Sequence, residues 1–229
     1  MISRPQLLAS LWRSERGLSA LLVFLVLTLF VGAPLVATAT IGPLVFEALF
    51  SLLLISGIFA VSRRRIVTIG VSILAFLALG LRWAMFWRPG PRLEIWEAAL
   101  SVVSLSILTA LVLIQVFQGG PITGYRIQGA IAAYLLIGIV WTAVYELLIR
   151  VLPGVVFRFT NGMEGPARFT HGLAYFSFVT LTTVGYGDIT PVHPLARSLA
   201  MAEALIGQLY PAILIGRLVS MELESRRHK

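Results

Sequence analysis

Hydrophobic residues in this chain fall in long unbroken runs, not in alternation with polar ones. The runs cover residues 18 to about 39, 43–61, 66–87, 94–117, 128–151 and about 195–222. Each holds roughly the 20 apolar residues with which an α-helix crosses a hydrocarbon core of about 30 Å. The pattern predicts six transmembrane helices. The first run follows a basic stretch and ends on Ala37-Thr38-Ala39, which has the small-residue form of a cleavage site. Signal-peptide apolar regions are shorter, at about 7–15 residues, so the run reads as a retained span.

The pattern breaks once, between the fifth and sixth runs. Residues 153–170 are rich in glycine, proline and polar groups (Pro153-Gly154, Asn161-Gly162, Gly165-Pro166) and read as loop. From His171 to Thr182 the composition is helical again, but about 12 residues give only about 18 Å of rise. Such a helix enters a bilayer halfway. Non-helical backbone at that depth is tolerated only inside protein or along a water-filled path. A half-length helix followed by Gly-rich backbone therefore predicts a re-entrant pore loop.

Composition supports a membrane setting: 58% of residues are hydrophobic and 12% charged, where a soluble domain carries about 25% charged residues. The formal charge of +8 would suit a nucleic-acid partner, but the basic residues sit between apolar runs and report orientation instead. Six spans put both termini on one side. Arg4, Arg13, Arg16, the Arg63-Arg64-Arg65 triplet, Arg126, Arg226, Arg227 and Lys229 then share one face, expected to be cytoplasmic. The chain contains no cysteine, which removes disulfide and thiolate-metal chemistry. The expected localisation is the cell membrane, multi-pass, in contact with lipid.

The half-length helix runs into Thr182-Thr183-Val184-Gly185-Tyr186-Gly187-Asp188. A potassium ion gives up its hydration shell when stacked rings of backbone carbonyls replace the water oxygens. Gly185 and Gly187 admit backbone conformations closed to other residues, which lets successive carbonyls turn toward one axis. Thr183 adds a hydroxyl as the innermost ligand, while Val184 and Tyr186 point away and pack behind. The expected K+ ligands are Thr183, Val184, Gly185 and Tyr186. One chain supplies a quarter of each ring, so the expected partner is itself, as a homotetramer. The C-terminal end of the short helix carries partial negative charge and faces the cavity below.

With these residues the sequence resembles the potassium channel superfamily, specifically small bacterial channels of the two-transmembrane pore type with extra N-terminal spans. The resemblance is close over about residues 125–222 and covers spans one to four only in number and length. It implies an all-α integral membrane protein with a pore helix and filter loop between helices five and six. It also implies that Tyr175 braces Asp188, at a position where the family usually has tryptophan, with Thr182 as further filter support. Val179 stands where some members have a glutamate behind the filter. Gly207 matches the family's gating-hinge glycine.

The expected organisation is a cytoplasmic segment at 1–17 and a four-helix domain at 18–117. A cytoplasmic linker at 118–127 leads to a pore domain at 128–222 and a tail at 223–229 too short for a ligand-binding domain. The pore domain divides into a helix at 128–151, a pore helix at 171–182, the filter at 183–187 and an inner helix at 195–222. Gly207 and Pro211 interrupt the last span, as a hinge or as a static kink, since proline removes an intrahelical hydrogen bond. Gln208 is a cavity candidate.

Glu203 inside the same span is costly there and by default functional, as a brace through Thr180 or Thr182 or as a gating element. Glu146 and Arg150, four apart, read as a local pair, and Glu47 has no evident partner. Nothing pairs a nucleophile with a base, and His171 and His193 lack ligand spacing. No enzyme activity and no cofactor is expected; K+ is the permeant ion. Residues 95–117 contain no arginine or lysine, which argues against a steep voltage sensor. The leading spans then serve as scaffold or receive an unidentified regulatory ligand. A transporter that repeats a degenerate pore loop within one chain, and a subunit that conducts only with a partner, are the rival readings.

Overall fold

The computed structural model describes residues 17–32, 42–61, 65–87, 90–118, 123–160 and 166–227. Arg4, Arg13, Arg16, Ala37-Thr38-Ala39, Arg63, Arg64, residues 119–122 of the linker, Asn161-Gly162, Gly165 and Lys229 lie outside them, as do the side chains of Glu47, Arg226 and Arg227.

Among the described residues the order is α1 (Gly17–Gly32), α2 (Gly42–Val61), α3 (Arg65–Trp87), α4 (Pro91–Phe117), α5 (Gly124–Val151), β1 (Phe157–Phe159), α6 (Pro166–Leu181), β2 (Ile189–Pro191) and α7 (Pro194–Arg227). The end of α1, Thr28–Gly32, is π-helical, next to a Thr28 hydroxyl that donates to the Phe24 carbonyl. By length and composition, α4, α5 and the Pro194–Met221 part of α7 are long and apolar enough to cross a membrane. The remaining helices carry shorter apolar stretches, Ala48–Gly57 in α2 and Ser72–Leu81 in α3 among them.

Helix α5 starts four residues before its apolar run because Thr123 caps it, its side chain accepting from the Arg126 amide; capping satisfies an orphan donor whatever the hydropathy of the first turn. Helix α6 starts at Pro166, five residues earlier than the composition indicates. Proline is well suited to a first turn, where its fixed φ is helical and its missing N–H is no loss. The resulting 16 residues still fall short of a full span.

One departure from pure helix is a strand pair that the loop composition of 153–170 does not predict. β1 and β2 are antiparallel, with Phe157 opposite Pro191, Arg158 opposite Thr190 and Phe159 opposite Ile189. The pair rests on an aromatic triangle. Tyr145 of α5 meets Phe157 at 5.4 Å and Phe176 of α6 at 5.2 Å, and the two phenylalanines meet at 5.1 Å, all edge-to-face.

Two buried clusters follow. The larger joins Leu18, Leu21 and Leu25 of α1 with Leu53 of α2, Leu105, Leu108 and Val112 of α4 and Ala132, Ala133 and Leu136 of α5. Small residues bring helices close in apolar surroundings: a Cβ added at Gly129 would lie 3.2 Å from both Leu18 and Val116. The smaller cluster lies beneath the strand pair. Between α4 and α5 a buried carboxylate interrupts the apolar contact. Glu97 accepts from the Ser101 hydroxyl at 2.9 Å and pairs with Arg150 of α5 at 3.6 Å. Arg150 thus bridges two carboxylates, since Glu146 lies 3.8 Å from the same nitrogen. The pair read as local in the sequence is one half of a link between helices.

Candidate functional site

The loop from Thr182 to Asp188 leaves the end of α6 and enters β2, and it is held at both ends. At the inner end, the last four carbonyls of a helix lack intrahelical donors, and here loop and neighbouring groups supply them. Phe178 O accepts from Thr182 N at 3.0 Å and from the Thr182 hydroxyl at 2.7 Å. Val179 O accepts from Val184 N at 2.9 Å and Gly185 N at 3.3 Å, and Thr180 O from Thr183 N at 2.9 Å. Leu181 O accepts from the Tyr134 hydroxyl of α5 at 3.3 Å. At the outer end, Asp188 O accepts from Thr160 N at 2.9 Å beside the strand pair, and the Asp188 carboxylate accepts from Ile189 N at 3.1 Å.

Between these anchors the backbone alternates. Thr183, Gly185 and Gly187 have φ of 59°, 54° and 81°, while Val184 and Tyr186 are not positive. In an extended strand successive carbonyls point to opposite sides. A change in the sign of φ at every residue turns alternate peptides over, so that successive carbonyls face one way. The glycines meet this requirement freely. Thr183 is the one described non-glycine residue with positive φ, a conformation that carries a cost for an L-residue; its tethered amide holds it there.

Thr182 through Gly187 are exposed in the single chain, Tyr186 by 71% and Val184 by 53%. Tyr186 stacks on Tyr175 at 6.3 Å between centroids and 5° between planes. Gln208 is exposed on α7. Helix α7 runs unbroken through Gly207 and Pro211, so the two residues do not interrupt it. Gly207 is buried instead against the end of α6, where a Cβ would lie 2.7 Å from the Leu181 carbonyl carbon.

Glu203, one turn before Gly207 on α7, is fully buried. Its partners are not the threonines expected from sequence. The Tyr145 hydroxyl of α5 donates to one oxygen at 2.6 Å and the Ser177 hydroxyl of α6 lies 2.6 Å from the other. Thr182 lies just past the end of α6, more than a turn beyond Ser177, and its hydroxyl donates to the Phe178 carbonyl. The need for a donor was legible in a buried carboxylate, but which hydroxyl supplies it depends on helix rotation.

Residues 133–224 match the model of a family described as ion channel. A two pore potassium channel c from Oryza sativa subsp. japonica is 38% identical over 96 residues, covering 42% of this chain and 19% of that protein. A two pore potassium channel b from the same plant is 35% identical over 92 residues, 40% of this chain and 23% of that one. Protein LctB of Geobacillus stearothermophilus is 51% identical over 45 residues, 20% of this chain and 33% of that one. The matched region contains α6, the loop and most of α7. It matches an ion channel family and is similar in sequence to these two potassium channels.

The chain spans at most about a third of the length of these curated relatives. No solved structure matches it to the same standard. The channel domain and the long apolar helices make this a multi-pass membrane protein, and the family is one of ion channels, not of enzymes.

Proposed function

We propose that this chain is one subunit of a homotetrameric channel that conducts K+ passively through a fourfold ring of backbone carbonyls at Thr183, Val184, Gly185 and Tyr186. The observation that carries the reading is the alternation of φ from Thr183 to Gly187 in a loop tethered at both ends. Such backbone presents carbonyls in file, and carbonyls in file replace the hydration shell of a potassium ion.

Each chain holds one such loop, so closing the ring takes four. Consistent with this, α7 is the least buried of the three long helices in the single chain, at 17% of its most apolar window against 39% for α4 and 44% for α5. Its exposed Met201, Leu205, Leu209 and Ile213 need a cover of lipid or of other subunits. Tyr186 gains cover in the same assembly.

The remaining parts of the proposal are six membrane spans in the cell membrane, both termini cytoplasmic, and an opening that is not steeply voltage-dependent. The four helices before α5 act as a scaffold against α5 or receive a lipid or small-molecule signal. Single-channel recording of purified protein in bilayers with asymmetric potassium and sodium, with subunit counting in detergent, tests the reading. The expected result is a reversal potential near that of potassium and four subunits. A non-selective current, or a dimer as the only conducting species, would overturn it.

A further inference from the structure

Three helices meet at Glu203: α7, which carries it, α5 through Tyr145 and α6 through Ser177. Its two contacts of 2.6 Å are of the length expected between a hydroxyl and a carboxylate. Ser177 also lies 2.8 Å from the Gly138 carbonyl of α5. A serine hydroxyl has one proton to donate, and a carbonyl has none, so the arrangement of protons is constrained. With Glu203 ionised, Ser177 and Tyr145 both donate to it, and Gly138 O keeps the Thr142 hydroxyl at 2.9 Å. With Glu203 protonated, its O–H donates to the Ser177 oxygen, and the Ser177 hydroxyl turns to donate to Gly138 O. Tyr145 still donates to the other carboxyl oxygen. In both arrangements these side-chain groups are bonded.

Ser177 immediately precedes Phe178, Val179 and Thr180, whose carbonyls hold the amides of Thr182, Thr183, Val184 and Gly185. A displacement of α6 at Ser177 is therefore a displacement of the inner half of the loop. On α7, Glu203 lies one turn from Gly207, which packs on Leu181. The inner helix thus grips the last turn and a half of α6 at two points, one polar and one steric.

We propose that Glu203 is a positioning residue that couples the inner helix α7 to the filter, acting through Ser177 and the terminal carbonyls of α6. The inference rests on the channel reading and adds a route by which movement of α7 reaches the carbonyl rings. The groups facing Glu203 from the helices packed on it are the hydroxyls of Tyr145 and Ser177.

The test compares parent, Glu203→Ala, Glu203→Gln, Ser177→Ala and the double variant Glu203→Ala/Ser177→Ala. Burst duration in symmetrical potassium and the melting temperature in detergent are the two readouts. Glu203→Ala takes the acceptor from the buried Tyr145 hydroxyl and leaves Ser177 only the Gly138 carbonyl, which unties α7 from both neighbours, and should shorten bursts by about tenfold. Glu203→Gln reproduces the protonated arrangement, with its carbonyl accepting from Tyr145 and its amide donating to Ser177, and should stay close to the parent. Residues that act as one unit are not additive, so the double variant should be no worse than Glu203→Ala alone. Lower melting temperatures with unchanged bursts would reduce Glu203 to a stabilising contact and overturn the proposal. Should Glu203→Ala fail to assemble, Ser177→Ala decides: shortened bursts support the coupling and parental bursts overturn it. A parent that carries no potassium current overturns the channel reading, and this inference with it; a conducting parent with unaltered variants overturns the inference alone.

Discussion

Gly207 of the inner helix sits directly against the Leu181 carbonyl, and a methyl group at this position would lie 2.7 Å from its carbonyl carbon and 3.1 Å from the Leu181 Cα. The neighbour is backbone, which cannot swing aside as a side chain can. Gly207→Ala must therefore push α7 and the end of α6 apart. Overpacking of this kind costs about 1–3 kcal/mol, and the strain is delivered one residue before the loop. The expected outcome is a lower melting temperature and a weakened discrimination of potassium over sodium. A pure hinge would give reduced open probability with selectivity intact, so the reversal potential under asymmetric ions separates the two roles.

Gly185 makes the opposite kind of demand. An added Cβ would meet nothing within 4 Å in the single chain, yet φ is +54°. The penalty of Gly185→Ala is conformational, about 1–2 kcal/mol for an L-residue in the left-handed region, and it falls on one of the alternating positions. The variant should insert into membranes and lose or distort its potassium current. Parental currents would mean that ions travel by another path.

Arg150 links the helices before the pore to the channel domain. Arg150→Ala takes the Arg150 guanidinium away from Glu97, which is buried on α4 and also accepts from Ser101. Breaking a buried pair from one side costs about 3–5 kcal/mol, and the one-quarter exposure of Arg150 places the expected loss at the low end. Thermal unfolding in detergent should register it, and Glu97→Gln should recover part of the loss in the Arg150→Ala background. Equal stability of parent and Arg150→Ala would mean that water replaces the guanidinium at no cost.

Voltage should have little leverage. One elementary charge crossing the field gains only about 2.3 kcal/mol per 100 mV, so steep gating takes several per subunit. Residues 95–117 of α4 carry no arginine or lysine. A conductance–voltage curve in symmetrical potassium should be shallow or flat from strongly negative to strongly positive potentials. A sigmoid with an apparent gating charge of several elementary charges per tetramer would contradict this.

The helices were legible because bilayer thickness dictates their length, so residues 94–117 and 128–151 announce themselves without any knowledge of packing. The loop was legible for another reason: its glycines encode a local backbone requirement, and φ at Gly185 and Gly187 answers it. Thr183 was not, because nothing in a threonine signals positive φ; the tether from Thr180 O imposes it. The strand pair escaped notice since three-residue strands such as Phe157–Phe159 are too short to display a period of two. The partners of Glu203 were hidden by helix rotation. In a helix that is apolar on most sides, hydropathy does not say which face meets which neighbour, and Tyr145 and Ser177 are far from Glu203 in sequence.

Helix α5 has neighbours on both sides, and this bears on how the chain tolerates sequence change. Toward the leading helices it presents Gly129 to Leu18 and Val116 and Arg150 to Glu97. Toward the pore it presents Tyr134 to Leu181, the Ala130 carbonyl to the Tyr210 hydroxyl, and Tyr145 to Glu203. A larger residue on one face of α5 shifts the wall that the other face relies on. Substitutions on α5 should therefore be accepted mainly in compensating sets, with the partners on α1 or α4 changing alongside those on α6 or α7, and the two halves of the chain would diverge in step.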